Sequence, residues 1–293
     1  MPADVRIADW AHGQTVCSHV PGRVIVPDRF ELPREIDVTI PSPARIYDYF
    51  LGGKDNFQAD RDAAQKALSA LPDGRKLAWA NRKFLVRAVR YMAKNGIDQF
   101  IDIGTGIPTS PNVHEAARSI APKARVVYVD NDAAVLAHAR ALLANHNDGI
   151  EAIYGDIRYP SSLIEDRTLR NVIDFRRPVC VLFVAVLHFL TNGDDPYNSV
   201  AVFRDNIASG SHIAISHIAS DGASPAVMST IQEAYAHAKA PAIFRTRAEI
   251  KTLFTGLEMV KPGLVQVSDW RASGRKPANA PALGFIGGAG RKP

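Results

Sequence analysis

The chain has 293 residues, of which 46% are hydrophobic and 22% charged, a globular composition with room for one large core or two small ones. Its two cysteines, Cys17 and Cys180, exclude a disulfide framework and a Cys-rich zinc site. No metal is therefore expected, and a reducing, cytoplasmic location is. The net charge of +5 comes from 35 basic and 30 acidic residues dispersed along the chain, which favours a solvated surface over a nucleic-acid face.

In chain order, residues 1–40 are Pro-, Gly- and Val-rich with short alternating pieces such as "GRVIVP", the pattern of an irregular arm or edge strand, and residues 1–35 are set apart as an N-terminal arm. This arm opens with Asp4, Arg6 and Asp9 and has no apolar signal core. Residues 36–96 are predicted to form a helical cap. "QADRDAAQKALSAL" ends at Pro72-Asp73-Gly74, and "KLAWANRKFLVRAVRYMAKNG" ends at Asn95-Gly96, a C-cap signal.

From 97 to 293 strand and helix alternate. Strands are expected at 99–106, 124–130, 150–156, 178–187 and 211–218, and helices at 112–121, 133–146 and 199–208. Asn112 and Glu115 are spaced as an N-cap and its N3 partner. "PVCVLFVAVL" is continuously apolar, as a strand covered on both faces must be. The run Val179 to Leu190 is interrupted by His188 and too short to span a bilayer, so no membrane partner is expected. Helices at about 224–239 and 246–256 precede "LEMVKPGLVQVSDW" and a final strand at 282–288. Two strands joined without a crossover helix pair antiparallel. The whole is an α/β, Rossmann-like doubly wound sheet, mostly parallel, closed by an antiparallel C-terminal hairpin.

The chemistry gathers at strand ends. "IDIGTGIPT" puts Asp102, Gly104 and Gly106 at the end of the first strand, where glycines let the backbone turn sharply and approach a ligand. The third glycine of a dinucleotide fingerprint is replaced by Thr109, next to Pro108, which weakens a nicotinamide-dinucleotide reading. Asp130, followed by Asn131, ends the second strand 26 residues after Gly104, and Asp156, followed by Ile157, ends the third. Acids there suit ribose hydroxyls, and ligands of open α/β sheets bind outside those carboxyl ends. Each acid taken singly could merely cap the next helix; three in register argue for a site. An adenosine carrier without phosphates fits the set, namely S-adenosylmethionine.

The segments "PSPARIYDYFLGGKDNFQADRDAA", "ANRKFLVRAVRYM", "FIDIGTGIPTSPNVHEAA", "YVDNDAAVLAHARALL" and "VLHFLTNGDDP" together resemble an actinobacterial family. It is the S-adenosylmethionine methyltransferase family long catalogued as a domain of unknown function. The resemblance covers roughly residues 36–290 and implies a class I methyltransferase fold with a seven-stranded sheet. It also implies S-adenosyl-L-methionine binding and catalysis, without naming an acceptor. Arg82 in "ANRKF" is then a candidate for the cofactor's carboxylate, which a guanidinium can hold bidentately.

A general base is sought at strands four and five. His188 in "AVLHFLTNGDDP" and His217 in "HIAISHIASD" titrate near neutrality. The first stretch is similar to the strand-four exit of small-molecule O-methyltransferases, which points to O-methylation of a small-molecule acceptor; either histidine could instead be structural. The exit lacks an Asn/Asp-Pro-Pro-Tyr element, so a nucleic-acid substrate is disfavoured. A regulatory binding module without catalysis is the competing class, and a homodimer is compatible with the sequence. "IYDYFLGGKDNF" (46–57) is expected to cover the cofactor: Tyr47, Tyr49, Phe50 and Phe57 would exclude water, and Gly52 would permit the turn. The alternative is an N-terminal hydrophobic plug with Lys54-Asp55-Asn56 solvated.

Overall fold

The structure is a computed structural model that describes residues 36–143, 149–272 and 283–293. The chain divides into two compact units, Met1–Glu31 and Leu32–Pro293, and every described residue belongs to the second. The expected arm of residues 1–35, Cys17, the end of the helix at 133–146 and part of the linker before the last strand lie outside the described residues.

Three helices come first: α1 (Pro43–Leu51), α2 (Gln58–Ala70) and α3 (Gly74–Lys94). α3 has Phe84, Leu85, Ala88, Val89 and Met92 buried on one face, the i, i+1, i+4, i+5, i+8 spacing of an amphipathic helix. It ends where Gly96 takes a φ of 87°.

The alternating region follows as β1 (Gln99–Ile103), α4 (Val113–Arg118), β2 (Arg125–Asp130), α5 (Ala133–Leu143), β3 (Ile150–Tyr154), α6 (Pro160–Glu165), α7 (Arg167–Val172) and β4 (Cys180–Val184). Then come α8 (Pro196–Asn206), β5 (His212–Ala219), α9 (Pro225–Ala234), α10 (Arg247–Thr252), β6 (Glu258–Met259), β7 (Val265–Gln266) and β8 (Gly284–Arg291). As the Asn112/Glu115 spacing predicts, Glu115 accepts the Asn112 backbone N–H at 2.5 Å.

Among the described residues the strands form one sheet in the order β3-β2-β1-β4-β5-β8-β6, with β7 also paired to β8. β1 to β5 are parallel, and β8 runs antiparallel to β5, β6 and β7. β6 and β7 share the edge position beside β8, one at Arg291 and Gly290, the other at Gly287 and Ile286. Eight short strands thus fill the seven positions expected of a class I methyltransferase sheet.

Alternation along the strands feeds two cores. Phe100, Tyr128, Leu182 and Ala214 meet α3 and Trp270 on one face. Ile101, Val127, Val181, Phe183 and Ile213 meet the helices of the other. A third cluster joins Ile46, Ala63, Ala64 and Ala67 of α1 and α2 to Ile231, Ala234 and Tyr235 near α9.

Two expected elements are shorter than the pattern suggests. β4 stops at Val184 because Ala185 turns with φ 59°, and Leu187–Phe189 then forms one 3-10 turn. α9 stops at Ala234. Pro241 disfavours helix in the residue before it, and Lys239, Ala240 and Pro241 instead line the cavity at the carboxyl ends of the strands.

Candidate active site

The carboxyl ends of β1 to β4 open into a cavity of about 420 Å³, the size range of small-ligand sites. Asp102, Gly104 and Gly106 after β1, Asp130 and Asn131 after β2, and Asp156 and Ile157 after β3 all line it. Arg82 on α3 and Tyr47 on α1 join them. Nine of the ten residues expected to hold cofactor therefore converge. Gly52 does not line the cavity: it ends α1 with φ 83°, a left-handed C-cap that glycine takes at little steric penalty.

The glycines answer to specific neighbours. Gly104 has φ 70°, and a Cβ there would lie 2.7 Å from Val186 Cβ, so neither a side chain nor ordinary backbone fits. Gly106 turns its N–H onto Asp130 Oδ2 at 2.9 Å, while the Asp132 N–H takes Asp130 Oδ1 at 2.9 Å. Two amides orient this carboxylate, yet burial still pushes its pKa up to about 6. Asp102 accepts a hydrogen bond from Thr105 Oγ1 at 2.9 Å, and burial likewise raises it to about 6. These acids want what an adenosyl amino acid offers, namely hydroxyl and ammonium donors. Asp156 is held below its ordinary value: burial pushes it up, but hydrogen bonds from Arg158 and Asn131 outweigh that. Arg158 Nε sits 3.0 Å from both Asp156 oxygens.

Arg82 donates through one guanidinium nitrogen to the carbonyls of Thr109 and Pro111, which shapes the loop after β1. Its Nε is buried and without a partner. A carboxylate arriving in the cavity would satisfy it, so the donor set fits the methionine end of the cofactor.

The cavity also has a roof, formed from one side by Ser42, Pro43, Ala44 and Tyr47 of the cap and from the other by Lys239, Ala240 and Pro241, a second side that the sequence pattern did not announce. Ser42 Oγ donates to Asp132 Oδ2 at 2.6 Å, Lys239 Nζ reaches the same oxygen at 3.0 Å, and the Lys239 amide bonds Pro41 O. Asp132, two residues past Asp130, thus ties the cap to the sheet. Burial would raise its pKa, but the Ser42 and Lys239 contacts bring it below the ordinary value. Beneath the roof a buried chain crosses the fold. Tyr47 OH donates to Ala78 O, Asn81 Nδ2 donates to Tyr47 OH, and Ser216 Oγ donates to Asn81 Oδ1. Ser216 Oγ in turn accepts the N–H of Ala185, whose positive φ marks local strain at the β4 exit.

The aromatic segment is only partly a cover. Tyr47 reaches the cavity, but Tyr49 stacks under Arg75 at 4.5 Å and Phe57 lies under Arg45 at 5.2 Å. Phe50 faces a second, apolar cavity. Helical periodicity separates Tyr47, Tyr49 and Phe50, since neighbouring positions on α1 point about 100° apart, while Phe57 lies beyond α1 at the N-cap of α2. Asn56 and the Asp55 amide fold back onto Asp48 at 2.8 and 3.0 Å instead of dangling in solvent.

Neither histidine lines the cofactor-sized cavity. His217 is fully buried, with Nδ1 bonded to Ile218 O at 2.7 Å and Nε2 at 3.0 Å from an Arg245 nitrogen. Arg245 also donates to the carbonyls of Leu187 and Leu190. Burial pushes His217 down to about 4, and with both nitrogens engaged it braces the β4 exit and is not free to act as a base. His188 is 3% exposed, has an unpartnered Nδ1 and faces the second cavity.

A family model described as S-adenosyl methyltransferase matches residues 29–293. The chain belongs to this family. It is therefore an S-adenosylmethionine-dependent methyltransferase, and S-adenosyl-L-methionine is its cofactor. A DUF574 family protein from Streptomyces avermitilis is 39% identical, with a TM-score of 0.83 over 88% of this chain and all of that one. A structure from Thermobifida fusca is also 39% identical, with a TM-score of 0.81 over 87% of this chain and 96% of that one. No curated protein matches the chain. In this methyltransferase no described helix is long and apolar enough to cross a membrane. No group of three His, Cys, Asp or Glu is positioned to hold a metal among the described residues.

Proposed function

We propose that this methyltransferase acts on a small molecule, by O-methylation with His188 as the proton acceptor, and that the 36–96 cap closes over the cofactor. The observation that carries the cofactor half is the convergence of Asp102, Gly104, Gly106, Asp130 and Asp156 at one end of the sheet under a roof. Bound S-adenosylmethionine supplies a methyl group activated by its sulfonium. The residues of this chain bind and orient around it. Asp130 accepts from ribose hydroxyls, and Asp156 with Asn131 and Ile157 borders the base. Arg82 takes the carboxylate through its free Nε, and Asp102 faces the ammonium. Tyr47 and the Ser42–Asp132–Lys239 tie keep water out, which strengthens electrostatics within the site.

What supports a small acceptor is the enclosure of the roofed cavity and the histidine beside it. Burial, with His217 and Arg245 nearby, lowers the His188 pKa well below its ordinary value, which keeps the ring neutral near pH 7 but makes it a weak base; what favours it over His217 is its unpartnered Nδ1. Replacing His188 with Gln is expected to leave S-adenosylhomocysteine affinity within about twofold while lowering turnover at least 100-fold. Unchanged turnover would remove His188 as the base. Calorimetry with S-adenosylmethionine, S-adenosylhomocysteine and NAD tests the cofactor site, and NAD binding alone would refute that assignment.

A further inference from the structure

Beside the cofactor cavity lies a second one, built where α1, α2 and α9 cover β5 and β8. Leu68, Leu71, Leu77, Phe50, Ile231 and Phe285 are among its walls. Among the described residues no carboxylate, Lys or Arg lines it, so a charged ligand would meet no counter-charge from them, which burial penalises heavily. The one imidazole among the described lining residues is His188, nine-tenths buried and with Nδ1 unpartnered. That ring packs on Phe189 at 4.3 Å and Phe285 at 5.7 Å. Tyr47 and Phe189 line both cavities and so form a shared wall. Tyr47 is fixed there by its bonds to Ala78 and Asn81, and Phe189, on the short turn after β4, packs on His188 and Tyr235 as the other side.

We infer that this second cavity is the acceptor pocket and that it takes an uncharged, ring-bearing molecule whose hydroxyl reaches the Tyr47–Phe189 wall beside His188. The inference rests on the methyl-transfer reading above. The cavity holds about 60 Å³ as it stands, so its walls must part to admit a ring; the apolar side chains then take the ring up by hydrophobic burial, and stacking on Phe189 and Phe285 favours a flat one. The hydroxyl satisfies the stranded imidazole. In the reaction it gives its proton to His188 as its oxygen bonds to the methyl carbon, whose bond to sulfur breaks. The sulfur keeps that electron pair and becomes a neutral thioether. A carboxylate-bearing analogue fails at the entry step.

The test uses the full chain and two ligands of one shape, 1-naphthol and 1-naphthoate. S-adenosylhomocysteine binding is measured first, because its loss would refute the cofactor reading independently of the acceptor pocket. With the protein saturated by it, 1-naphthol is expected to bind at least tenfold more tightly than 1-naphthoate. Leu71→Trp, which fills the cavity from the half-buried end of α2, should weaken naphthol at least tenfold while leaving S-adenosylhomocysteine affinity within twofold. Leu68→Trp plugs the same space from the helix body and serves if the first variant does not fold. Radiolabelled S-adenosylmethionine should then label neutral phenols in a panel and none of the matched carboxylates. Equal binding of naphthoate, indifference of naphthol to both plugs, or label on the carboxylates would overturn the assignment.

Discussion

Gly104→Ala is the sharpest test of how the cofactor loop is built. The new methyl meets two separate obstacles: φ is 70°, and the added Cβ would sit 2.7 Å from Val186 Cβ. A non-glycine residue in left-handed backbone loses about 1 kcal/mol. Forcing a methyl into a packed β-branched neighbour adds roughly 1–3 kcal/mol, since Val has little χ1 freedom to yield. The sum, about 2–4 kcal/mol, corresponds to a Tm fall of roughly 5–10 °C in a chain this size. S-adenosylhomocysteine affinity should fall at least tenfold, because the Gly106 amide that orients Asp130 lies two residues on. Val186→Ala alone removes half-buried methyls and is expected to reduce stability by about 1 kcal/mol. The double variant separates the two obstacles: it should recover most of the clash but none of the backbone term, giving a coupling of about 1–2 kcal/mol in a double-mutant cycle. Thermal melts and calorimetry on the four proteins suffice. A Gly104→Ala protein as stable as the wild type, or additive effects with Val186→Ala, would refute the reasoning.

Removing the Ser42 hydroxyl with Ala breaks its bond to Asp132 and should weaken S-adenosylhomocysteine roughly fivefold, about 1 kcal/mol. Ligand-induced protease protection across residues 41–57 should shrink with it, and equal protection in both proteins would count against the cap closing. Asp102 and Asp130 have folded pKa values raised to about 6 against an ordinary value near 3.9. Their favourable contribution to stability is fully present below about pH 4 and lost as pH rises through about 6. A ligand that stabilises the ionised carboxylates must then release protons near pH 6. Calorimetry in two buffers of different ionisation enthalpy measures that release, and its absence would contradict the assigned roles. His217→Ala strips Arg245 of a buried acceptor and should destabilise by about 1–3 kcal/mol with S-adenosylhomocysteine affinity within twofold. A stable variant that has lost turnover would return His217 to the catalytic list.

The sequence by itself determined the layers and the floor of the site. Period-2 and continuous apolar runs specify strands, 3.6-residue patterns specify helices, and a strand's carboxyl end has only one place to be in a doubly wound sheet. Asp102, Gly104, Gly106, Asp130 and Asp156 were therefore legible as one site although they span 54 residues of chain (156 − 102). Tertiary structure alone decided how the roof is tied to the sheet and the fate of the histidines. Ser42 and Lys239 meet on Asp132 across 90 and 107 residues, and no local pattern encodes a contact between segments that far apart. His188 and His217 sit in similar apolar strand ends, yet Arg245, 28 residues beyond His217, occupies one ring and leaves the other without a partner at Nδ1. Residue type gives a histidine its chemistry, but burial and neighbours decide whether that chemistry is available.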